Sequence, residues 1–99
     1  MRSFSSGMKN SFLIEAFRDV PAALRSHVSH LVTDKIYWHL EGSYKSYVLS
    51  SNVTLYAEPK AGEFLITFRQ NNIPQHQVSI KKWPDNWVDE EFGRDKMKM

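Results

Sequence analysis

Ile36-Tyr37-Trp38-His39-Leu40-Glu41-Gly42-Ser43-Tyr44-Lys45-Ser46-Tyr47-Val48-Leu49 is the stretch on which the fold turns. Its apolar residues recur every second position, with Ile36, Trp38 and Leu40 on one side and Tyr37, His39 and Glu41 on the other, the period of a strand half covered by a core. Gly42-Ser43 reads as a two-residue type II′ turn, because glycine takes the positive φ of the first central position without steric cost. Pairing Glu41 with Tyr44 sets Trp38 opposite Tyr47 and Ile36 opposite Leu49, so apolar side chains meet across one face. The other face collects Tyr37, His39, Tyr44, Ser46 and Val48.

Downstream, Val53 to Ala57 alternates in the same way. Glu58-Pro59-Lys60-Ala61-Gly62-Glu63 predicts a turn, with Pro59 at its second position and Gly62 at its exit. Phe64, Ile66 and Phe68 then mark a further strand, Gln70 to Pro74 a loop, and Gln77 to Lys82 a last strand whose terminal lysines suit a sheet edge. Asp85 or Asn86 is placed to cap a short helix over 86–92, with Asp89, Glu90 and Glu91 in its acidic first half and Gly93 at its end.

Upstream, Leu13, Phe17, Val20, Leu24, Val28 and Leu31 recur at spacings of three and four, one face of a helix. Pro21 breaks that stripe, so two helical pieces are expected, the second capped by Asp19 and running to about Thr33. Phe12 to Phe17 also fits a short buried strand, which so brief an apolar run does not settle. The expected fold class is α+β: an N-terminal helical segment packed on a four- to five-stranded antiparallel sheet, with a short C-terminal helix. Residues 10–93 make one domain, between tails 1–9 and 94–99 expected to be flexible.

The composition supports a packed core and removes several chemistries. Leu, Ile, Val and Phe make up 25 of 99 residues, joined by three tryptophans and four tyrosines. The absence of cysteine excludes disulfide frameworks, cysteine zinc sites and thiol nucleophiles, and fits a reducing, cytoplasmic setting. No stretch has the apolar length of a signal peptide or a membrane span, so no membrane partner is expected. The glycines stand apart at 7, 42, 62 and 93, so no phosphate-cradling loop exists, and no serine lies in a nucleophile motif. His27 and His30, three apart on a helix with Asp34 beyond, lack a third strong ligand, so neither a metal nor any other cofactor is expected.

The net charge of +2 is unevenly spread: residues 1–9 and 94–99 contribute +4 and the remainder −2. A phosphate-gripping protein carries its basic excess on the folded surface, which this distribution does not supply. The candidate partner-binding residues are therefore the aromatic face, Tyr37, His39, Tyr44 and Tyr56, and the acidic group Asp85, Asp89, Glu90 and Glu91. Together they suit a stoichiometric inhibitor, immunity or antitoxin protein, or an adaptor, that binds a protein with a basic surface.

The alternative is a nucleic-acid binder or metal-free ribonuclease, using His39, Tyr44, Tyr56, Arg69 and Lys81 or Lys82 as acid–base, stacking and cationic groups. Two helices followed by an antiparallel sheet, with Leu40-Glu41-Gly42 leading into Tyr44-Lys45, resembles the small RelE-type ribonuclease toxins over about residues 20–70. The resemblance implies ribonuclease activity and central strands rich in arginine and lysine. Here residues 53–57 carry neither, and residues 63–69 carry only Arg69.

Overall fold

The computed structural model describes residues 10–90. Two helices, α1 (Phe12–Ala16) and α2 (Ala22–Thr33), precede six strands: β1 (Ile36–Glu41), β2 (Tyr44–Val48), β3 (Val53–Lys60), β4 (Glu63–Gln70), β5 (Ile73–Ile80) and β6 (Trp87–Asp89). The strands form one sheet in the order β5-β4-β3-β2-β1-β6. Neighbours are antiparallel except β6, which lies parallel to β1. The expected four- to five-stranded antiparallel sheet under a packed helical segment is thus replaced by a six-stranded mixed sheet with two short helices.

The largest departure is at the C-terminal end, where a helix over 86–92 was expected. Residues 87–89 are a strand instead, paired Ile36 to Trp87, Tyr37 to Val88 and Trp38 to Asp89. A seven-residue helix would have little stability of its own. As a strand, the segment satisfies the free edge of β1, through Ile36 N–H to the Asn86 carbonyl at 2.8 Å and Glu90 N–H to the Trp38 carbonyl at 2.8 Å. It also buries Trp87, whose indole N–H donates to the Leu31 carbonyl at 2.9 Å. Glu91, Phe92, Gly93 and both expected tails lie outside the described residues.

Two other boundaries move. β3 runs through Pro59 to Lys60, and the turn is Ala61-Gly62, both at positive φ (53° and 82°). Pro59 is tolerated because β2 ends its pairing at Ala57, so its missing N–H faces no neighbour. β5 begins at Ile73, after Asn71 and Asn72 at φ 52° and 68°, and the register shifts between Phe68 and Arg69. Pro74 and this irregularity on the outer strand both discourage pairing with another chain. At the other end of the chain, α2 starts after Pro21 with no side-chain cap, so Asp19 does not cap it.

The β1–β2 hairpin has the register its sequence predicts, Glu41 opposite Tyr44, with Gly42 at φ 61°. Sixteen buried apolar side chains of the described residues form one cluster. Leu13, Phe17, Val20, Leu24 and Leu31 from the helical half meet Trp38, Leu55, Ile66 and Phe68 from the sheet. Trp38 sits at its centre, its ring 5.0 Å from that of Trp87 and 5.3 Å from that of Trp83. The helices therefore cover one face of the sheet and leave the other to solvent.

Candidate functional site

Directly paired residues share a face of a sheet, so the ladder fixes what the uncovered face presents. Its middle row runs His39, Ser46, Tyr56, Thr67, Gln77 across five strands. On one side of that row lie Tyr37, Val48, Val88, Thr54 and Arg69, and on the other Glu41, Tyr44, Glu58, Leu65 and Ser79. Tyr37, Tyr44 and Val48 are exposed, Val48 to 65%.

The four aromatic and histidine candidates, Tyr37, His39, Tyr44 and Tyr56, all fall on this face. Tyr44 and Tyr56 are neighbours, with ring centroids 5.5 Å apart and planes inclined by 48°. The Arg69 guanidinium lies over the Tyr56 ring at 4.7 Å. These three, with Glu58, Leu65, Thr67 and Gln77, line a shallow depression of about 290 Å³. Gln77 Nε2 donates to Thr67 Oγ1 at 3.2 Å, tying β5 to β4 across its floor.

The described acidic candidates, Asp85, Asp89 and Glu90, do not form one patch. In a strand, successive side chains point to opposite faces, so Asp89 and Glu90 diverge. Asp89 turns to the helix-covered side, where Lys45 Nζ lies 3.1 Å from it and over the Trp83 ring at 4.2 Å. Glu90 stands on the uncovered face, 3.5 Å from His39 Nδ1, and Glu41 lies 3.0 Å from His39 Nε2. Asp85 is exposed in the turn before β6. Among the described strand residues, the carboxylates that do share the uncovered face are Glu41, Glu58, Glu63 and Glu90, against the cations Arg69 and Lys60. Glu63 accepts a hydrogen bond from the Ser79 hydroxyl.

Of the groups in the ribonuclease reading, Tyr44, Tyr56 and Arg69 meet in the depression, whereas His39 lies on β1, two strands away from Tyr56. His39 is held between two carboxylates, while Arg69 stacks on Tyr56 at a different strand level. Lys81 and Lys82 follow β5 on the side of α1, with Lys82 Nζ 5.5 Å from the Phe12 ring centroid.

A second polar cluster joins helix to sheet. His30 Nδ1 lies 2.6 Å from Asp34 Oδ2 and His30 Nε2 lies 2.7 Å from the Tyr47 hydroxyl. The hydrogen bonds from His30 and Thr33 hold the Asp34 carboxyl below its ordinary range. Burial, reinforced by the Asp34 charge, pushes the Tyr47 phenol up. A nucleophilic tyrosine needs the opposite shift, so this chain of contacts fastens α2 to β2 rather than activating Tyr47. Among the described residues, no group of three or more His, Asp or Glu side chains is placed to hold a metal ion.

The Asp34 shift fixes the sign of a pH effect. A depressed carboxylate contributes stability above its unfolded value, about 3.9, and that contribution is lost as pH falls through the lower folded value. Thermal unfolding followed from pH 6 to pH 2 is expected to show a shallower acid decline in Asp34→Asn than in the parent protein. Parallel declines would contradict the assignment.

Comparison of the chain with protein families, with curated proteins and with solved structures finds no match. Among the described residues, no helix is long and apolar enough to cross a membrane.

Proposed function

We propose that this chain is a non-enzymatic domain that binds one protein partner stoichiometrically through the uncovered face of its sheet, as inhibitors, immunity and antitoxin proteins and adaptors do. The observation that carries the reading is the composition of that face. Tyr37, Tyr44, Tyr56, Val48 and Val88 supply apolar and amphipathic contact area on a rigid sheet, and tyrosine and arginine are the side chains that dominate binding interfaces. Among the described strand residues, four carboxylates against two cations bias the face toward a partner with a basic surface. The same bias opposes a nucleic-acid backbone, and among the described residues the ionic partners of His39 are the carboxylates Glu41 and Glu90. A sequence without cysteine fits a reducing compartment such as the cytoplasm.

The test uses the partner recovered with the full chain from nuclease-treated extract and then purified. Calorimetric titration is expected to give one-to-one binding that weakens at least tenfold, about 1.4 kcal/mol, in the double variant Tyr44→Ser/Tyr56→Ser. Ile14→Ser, exposed on α1 at the opposite surface, is expected to leave it unchanged. Equal loss in both variants, or recovery of RNA alone, would overturn the proposal.

A further inference from the structure

The depression on the uncovered face holds two opposite charges that do not meet. Arg69 is half-buried and stacked on Tyr56, its Nε is buried without a hydrogen-bond partner, and its guanidinium forms no ion pair among the described residues. Glu58 lines the same depression and makes no side-chain hydrogen bond or ion pair among the described residues either. The ladder explains why they stay apart. Arg69 is paired with Thr54 and Glu58 with Leu65, so four residues of β3, about 13 Å of strand, separate their levels. Folding of the arginine back over Tyr56 halves that gap, and the Tyr44 and Tyr56 rings and Leu65 fill what remains.

Resting on the protein-binding reading, we propose that this depression docks an extended segment of the partner that carries a carboxylate and a cationic side chain two residues apart. The carboxylate sits on the Arg69 guanidinium, the cation on Glu58, and the intervening backbone crosses Tyr44 and Tyr56. Side chains at i and i+2 of an extended segment emerge on one side about 7 Å apart, the spacing of the Tyr56 and Glu58 levels. Arg69 is pre-organised for this, because stacking fixes a planar group whose donors match a carboxylate in pairs. A phosphate ligand would satisfy Arg69 but meet repulsion from Glu58, so a two-charge peptide fits the depression better than a nucleotide does.

The experiment is an NMR titration of the isotope-labelled full chain with the blocked tripeptide acetyl-Glu-Ala-Lys-amide. Saturable shifts are expected at Tyr44, Tyr56, Thr67 and Arg69, with a dissociation constant in the millimolar range. Replacing either charged residue of the peptide by Gln is expected to weaken binding at least fivefold. Arg69→Gln is expected to erase discrimination between the Glu and Gln peptides, and Glu58→Gln discrimination between the Lys and Gln peptides, each with an otherwise unchanged spectrum. No shift at the depression up to about 10 mM peptide, about −2.7 kcal/mol at best, would overturn the proposal. So would adenosine monophosphate binding there more tightly than the peptide. Failure of the peptide while Tyr44→Ser/Tyr56→Ser still weakens the intact partner rejects this site and leaves the binding face standing.

Discussion

Trp38→Ala is expected to lower the unfolding free energy by about 3–5 kcal/mol, the range for deleting a large buried aromatic side chain. Trp38 is fully buried, and its ring lies 5.0 to 6.0 Å from those of Trp87, Trp83 and Tyr47. Its removal therefore opens a cavity where the sheet, β6 and the connection before β6 meet. A loss of that size in a domain this small shifts the melting midpoint by more than about 12 °C, and the variant can fail to fold. Trp38→Phe keeps the prediction testable. The Trp38 indole N–H is buried with no acceptor, so phenylalanine restores most of the volume while removing an unsatisfied donor. Its cost is expected to stay below about 1.5 kcal/mol in urea unfolding. Equal losses in both variants would mean that the indole N–H has a partner.

Asn86→Ala is expected to cost about 2 kcal/mol and to loosen β6 first. The Asn86 side-chain nitrogen donates to the Leu31 carbonyl at 2.8 Å and the Asp34 carbonyl at 2.7 Å, clamping the end of α2 to the residue that opens β6. Such carbonyls at a helix C-terminus have no partner within the helix. Trp87 Nε1 also reaches the Leu31 carbonyl, so the alanine variant leaves chiefly that of Asp34 without its protein donor, open to water. Hydrogen exchange is the measurement that localises the effect. The amides of Ile36 and Glu90, which bond across the β1–β6 seam, are expected to lose protection while those of β3 and β4 keep theirs. A stability change under about 0.5 kcal/mol with protection intact would contradict this role.

Trp38 and Asn86 both hold the part of the molecule that the sequence hid best. The β1–β2 hairpin is legible because its signals agree: period-two alternation, a Gly-Ser turn and a register that matches apolar to apolar. In Asp85 to Phe92 the local signals, a capping Asp or Asn and a run of acids, favour a helix, and the deciding forces are distant. They are the open edge of β1 and the space beside Trp38 that Trp87 fills. A three-residue strand is also too short to show a period. Pro59 and Pro74 read as turn residues because proline lacks a donor. Both sit in strands where no neighbour needs that donor.

The same reasons govern the site. Alternation alone placed Tyr37, His39, Tyr44 and Tyr56 on one face. It also separates Asp89 from Glu90 once residues 87–89 are a strand, which joins one acid to Lys45 inside and the other to His39 outside. Glu58 looked like part of a turn, so its place beside Leu65 became visible only with the full length of β3.

The measurement closest to the central claim is NMR cross-saturation from the unlabelled, purified partner to the isotope-labelled chain. Transfer is expected to amides along His39, Ser46, Tyr56, Thr67 and Gln77 and to their flanking rows, with none on the exposed side of α1 and α2. Transfer concentrated on the helices, with the uncovered sheet face silent, would contradict it.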